Sequence, residues 1–178
     1  MGFLKADMAT VDVVAGVLPW LVPDAEEIRR CDAAALAVGG LARERVLHEL
    51  FLLKAGLGLE YGLGLLESLG MRPEGLEQYH AFYTRRLAEG LVDSFPRDRE
   101  TAVGLLGARL KAYTLALHGD PPQDPHLAVA DVFTRFCGAA DERLLVSLCL
   151  DACKSMHQRF IAEIAELGRQ AGKKGGQP

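Results

Sequence analysis

Residues 50–66 (LFLLKAGLGLEYGLGLL) are apolar on every side of a helix except at Lys54 and Glu60. A helix that is apolar all round has to be buried on all sides, so the rest of the chain must supply a layer around this one segment. The same stretch also carries a competing pattern. From 56 to 66, Gly or Glu alternates with Leu or Tyr, which is the two-residue period of a strand.

Composition decides between the two. The chain has 29 Leu and 24 Ala against 3 Ile and 5 Thr. Leu and Ala lose little on entering a helix, whereas sheets favour β-branched side chains. An isolated strand is marginal, and no other segment offers a partner strand. Helix is therefore expected throughout, with 56–66 the weakest place, where a kink or turn would fit. Gly56, Gly58, Gly62 and Gly64 then each cost about 1 kcal/mol relative to Ala, and each needs a reason. Gly58 and Gly62 share one face and would admit a close neighbour. The expected use is tight helix packing, inside the monomer or across a dimer; the functional alternative is a smooth wall against a flat ligand. A membrane span is not expected, because Lys54 and Glu60 interrupt a run already shorter than the ~18–20 residues required.

The remaining segments also read as helices. A short apolar one at 8–18 should stop before Pro19. Asp24 can cap the next, with Glu26 and Glu27 in the first turn where the helix dipole favours anions, and Gly39-Gly40 ends it. The long helix 41–69 is closed by Gly70. Pro73 opens another, to about 95, with Leu76, Tyr79, Tyr83, Leu87 and Leu91 at helical spacing. Helices at 98–118 and about 126–137 follow, and a long final one reaches Leu167. These segments predict an all-α, single-domain bundle of about six helices over 1–167, two of them long and largely buried. Residues 168–178 (GRQAGKKGGQP) hold almost no apolar side chain and are expected to be a disordered tail. Residues 40–52 and 138–150 match at Gly, Ala, Glu, Arg and three Leu; a duplication would make the bundle pseudo-twofold.

A net charge of −4 and a pI near 5.7 give no basic face for nucleic acid. The four cysteines are read as reduced thiols in a chain without a secretory signal, which places it in the cytoplasm. Cys149, Cys153 and His157 follow one another at four-residue spacing. Together they span about 12 Å along the helix, too far to share one ion, and Cys149 and Cys153 lie in an apolar stripe where core packing is the expected role.

Glu77-x-x-His80 is the spacing that a di-iron bundle uses, but the second copy is missing, and Glu44 with His48 does not supply it. In an up-and-down bundle rising ~1.5 Å per residue, His80 and His157 come to similar heights. Glu77, His80 and His157 are thus the candidate metal site, while His118 should face solvent and cap its helix. There is no Walker loop, G-x-G-x-x-G, G-x-S-x-G, H-E-x-x-H or C-x-x-C.

The leading expectation is a non-enzymatic interaction module: an adaptor, a maturation chaperone or a self-associating scaffold, with no cofactor expected. The alternative is a metal- or cofactor-binding bundle using Glu77, His80 and His157. Because two long apolar helices cannot both be central in a small bundle, one should present its spare face to a second copy. A homodimer is expected, with Gly58 and Gly62 at the interface.

Overall fold

The computed structural model describes residues 15–68, 70–94, 99–119, 124–140 and 142–174. The first full helix, α1 (Ala25–Val38), begins with a capping box. The Asp24 carboxylate accepts from the N–H groups of Glu26 and Glu27, and the Glu27 side chain accepts from the N–H of Asp24 at 2.8 Å. Gly39 and Gly40, at φ 63° and 88°, turn the chain into α2 (Arg43–Ser68). Then come α3 (Pro73–Ser94), α4 (Arg99–His118), α5 (Pro125–Cys137, capped by Asp124) and α6 (Arg143–Lys174). No strand occurs among the described residues. Among the described residues the fold is an all-α bundle of six full helices, the class that the composition predicts.

α2 runs unbroken through 56–66 and packs against every other helix. From Leu52 to Leu59 every residue is buried, Lys54 included. Three of its four glycines each meet a tyrosine ring. A Cβ at Gly62 would lie 1.9 Å from the Tyr79 hydroxyl, one at Gly58 2.5 Å from the Tyr83 hydroxyl, and one at Gly56 3.1 Å from the Tyr113 Cβ. Each α3 phenol also donates a hydrogen bond to an α2 carbonyl: Tyr83 to Ala55 at 2.9 Å, Tyr79 to Gly58 at 3.2 Å. The matched four-residue spacings, 58 and 62 against 83 and 79, are what antiparallel neighbours require. Gly58 and Gly62 are therefore covered within the protomer, which corrects their expected place at an interface between copies.

Burial in the middle of α2 takes Lys54 and Glu49 out of solvent, and each finds a partner on another element. The Lys54 ammonium donates to both Glu27 carboxylate oxygens at 3.1 and 2.8 Å and to the Val22 carbonyl at 3.3 Å. Glu49 takes a forked set of bonds from Arg109 on α4, and the guanidinium lies 3.6 Å from the centre of the Phe136 ring of α5. Such pairing is what makes buried charge tolerable.

Four expectations are revised. The N-terminal helical segment covers 15–21 and passes through Pro19. Val17 and Leu21, one turn apart and buried, pack over Gly58 and carry it there; residues 8–14 of the expected helix lie outside the described residues. α6 does not compete for the centre: Leu145, Leu148, Cys149, Ala152, Cys153, Met156 and Phe160 are buried, while Leu144 and Ile161 on its other side are exposed. Its helix continues beyond Leu167 to Lys174, in place of the tail expected from 168. Arg, Gln, Ala and Lys are good helix formers, and cations suit a helix C-terminus; residues 175–178 lie outside the described residues. Finally, Gly40 and Gly138 share a left-handed backbone, but α2 packs against all five other helices and α6 mainly against α1, α2 and α5. Places so unequal are not related by a pseudo-twofold axis.

Gly62→Ala should cost about 1–3 kcal/mol in urea unfolding by overpacking, and less in a Tyr79→Phe background, where the nearest atom is gone. Lys54→Met should cost about 3–5 kcal/mol, because it strands the Glu27 carboxylate beside an apolar helix; a loss no larger than that of a surface substitution would show the pair to be dispensable.

Candidate functional site

The last turns of α2 carry a different pattern from its middle. Leu63 is half-buried and Gly64 and Glu67 are exposed, because the tyrosine cover ends at Gly62. The start of α3 brings Leu76, Glu77 and His80 alongside, and the end of α4 brings His118. Together with Glu60 these residues line an open groove of about 600 Å³, within the range of ~300–1,000 Å³ typical of binding sites. Leu63, Gly64 and Leu76 make its apolar part, and carboxylates and imidazoles its polar part.

The carboxylates are not equivalent. Glu60 is largely buried; Thr114 donates to one oxygen at 2.5 Å, and His118 Nε2 lies 2.8 Å from the other. Both partners come from α4, so Glu60 ties two walls of the groove together. Glu67 and Glu77 are exposed, and among the described residues neither has an ion-pair partner. The groove thus carries two carboxylates that make no ion pair among the described residues.

The structure divides the candidate metal site. Glu77 and His80 share the groove, but His157 lies on another side of α2, 5.8 Å from the Tyr61 ring. Successive helical residues point about 100° apart, so Glu60 and Tyr61 face different neighbours, and α6 meets the Tyr61 side. The histidine that joins His80 is His118. It is 66% exposed, as expected, yet it reaches back to Glu60. Among the described residues no group of three or more His, Cys, Asp or Glu is arranged to hold a metal ion. The sequence did hold a signal for this groove: Glu60 and Glu67 lie seven residues apart on one helix face, with Gly64 between them.

The cysteines are core residues. Cys31, Cys137, Cys149 and Cys153 are all free and buried. Burial pushes the thiols of Cys31 and Cys137 up to about 12. A hydrogen bond with Cys153, reinforced by burial, raises that of Cys149. Thiols held protonated in this way are poor nucleophiles. Comparison of the chain with protein-family models, with curated proteins and with solved structures finds no match.

The sign of the thiol contribution to stability follows from these shifts. A folded value near 12 against 9.0 for an ordinary thiol means that the unfolded chain loses its protons first. The contribution is complete below pH 9 and is lost as pH rises towards 12. The urea midpoint should fall across that window, and less steeply in a Cys31→Ala/Cys137→Ala variant; an identical decline in both proteins would remove the thiols as its cause.

Proposed function

We propose that this chain is a non-enzymatic protein-interaction module, an adaptor, maturation chaperone or self-associating scaffold, and that it meets its partner in the groove between α2, α3 and α4. The observation that carries the reading is the lining of that groove. An apolar part flanked by exposed polar groups is the composition of a protein contact, with a dry centre and a polar rim. The walls stand on three helices, α2 being tied to α4 through Glu60 and to α3 through the Tyr79 and Tyr83 hydrogen bonds, so the surface is held in shape before a partner arrives. No described helix is long and apolar enough to cross a membrane. The four free thiols support a reducing compartment, the cytoplasm, as the place of action.

Self-association is the second form of the same reading. Gly58 and Gly62 do not support it, being covered by the chain itself. The exposed Leu144 and Ile161 of α6, at 44% and 55%, do. Light scattering at tens of micromolar should then return a mass of two chains; the mass of one chain excludes this form.

The module reading is tested by placing a photo-crosslinking phenylalanine at Gly64 in living cells, with the exposed Arg29 of α1 as the control position. Gly64 is expected to give a discrete protein adduct that Arg29 does not, identified by mass spectrometry. An adduct of two copies assigns the scaffold form. No adduct, or the same adducts from both positions, overturns the proposal.

A further inference from the structure

α2 has four glycines in its apolar stretch, and the fold accounts for three. Gly56, Gly58 and Gly62 each stand where a ring packs so closely that a Cβ would meet it. At Gly64 a Cβ would meet nothing within 4 Å. A helix-interior glycine costs about 1 kcal/mol relative to Ala, and among the described residues no contact requires it. Its backbone has an ordinary helical φ, so no turn requires it either. Gly64 instead lines the groove, where any side chain would narrow the space between α2 and α3.

Charge indicates what fills that space. Glu60 is already matched by Thr114 and His118. Glu67 on the α2 wall and Glu77 on the α3 wall are exposed and make no ion pair among the described residues. An occupant that carried a carboxylate would meet repulsion from both sides, and one that was wholly apolar would leave both carboxylates facing it. Complementarity calls for a cationic group next to an apolar one. A planar guanidinium fits best, since it can accept two carboxylates at once and lie flat against a wall without side chains.

Building on the module reading, we infer that the groove takes a partner segment in which an arginine adjoins a leucine-sized side chain. The guanidinium lies between Glu67 and Glu77, and the apolar side chain sits on Leu63, Gly64 and Leu76. Gly64 sets the width of the groove and so the backbone approach of the segment.

The test uses three fluorescein-labelled twelve-residue peptides of leucine and alanine, one with two central arginines, one with lysines and one with glutamates, measured by fluorescence anisotropy with the full chain. The arginine peptide should bind most tightly and the glutamate peptide not at all. Glu67→Gln and Glu77→Gln should each weaken the arginine peptide about tenfold, equivalent to ~1.4 kcal/mol, and raised salt should weaken it as well. Gly64→Leu should abolish binding while the thermal midpoint stays level or rises, since the new side chain meets open space and removes a helix glycine. That combination separates a blocked groove from a damaged fold.

Binding of the arginine peptide that survives Gly64→Leu and both Glu→Gln changes would place the contact elsewhere and overturn the inference. Equal binding of the glutamate peptide would overturn it too. Spermine binding with the same dependence on Gly64, with no peptide bound, would reassign the groove to a small polycation. If no peptide binds but Gly64 still crosslinks a protein in cells, the arginine assignment fails and the module reading stands; if the crosslink is also absent, both fall.

Discussion

The structure depends on one helix having no exposed face along most of its length. Once 50–62 is apolar all round, the lowest-energy arrangement surrounds it, and the other five helices together with the segment 15–21 do so. Two consequences follow. Neighbours can close on α2 from all sides only where its own side chains are small, so Gly56, Gly58 and Gly62 accept the rings of Tyr113, Tyr83 and Tyr79. Every charge on α2 that is drawn inside must also find its partner in the surrounding layer, as Lys54 finds Glu27 and Glu49 finds Arg109.

These two devices tie the layer together. Glu27 completes the capping box of α1 and also holds Lys54, so the start of α1 is fastened to the middle of α2. Arg109 joins α4 to α2 through Glu49 and to α5 through the Phe136 ring. Polar contacts of this kind add less net energy than the surrounding apolar burial, because desolvation offsets much of their attraction. Their effect is on register: each forbids α2 to slide or turn relative to the helix it is bonded to.

The groove arises where the cover stops. Beyond Gly62 no further tyrosine packs on α2, and Leu63, Gly64 and Glu67 are left between the beginning of α3 and the end of α4. Glu60 stands at the boundary, buried enough to need two α4 partners and near enough to the surface for one of them to be the exposed His118. A cross-tied wall and a pair of exposed carboxylates thus meet at the place where the bundle changes from core to surface.

The sequence by itself determined the helical class, most helix boundaries and the centrality of α2, because those follow from propensity, capping and a hydrophobic pattern that is local to each segment. Asp24, Gly39, Gly70 and Pro73 act over one turn of chain, and their roles were legible for that reason. The glycine spacing was legible too, but not whose rings would fill it. Only the tertiary structure decided that, since Gly58 and Gly62 serve equally well against α3 or against a second copy until the packing partner is known. The same holds for the histidines. Similar heights along the bundle suggested His80 with His157, but rotation about α2 settles the matter, and it sets Tyr61 and His157 to one side and Glu60, His80 and His118 to another. Axial position can be counted along a sequence. Azimuth around a helix buried on all sides cannot, because such a helix has no polar face to show which way it points.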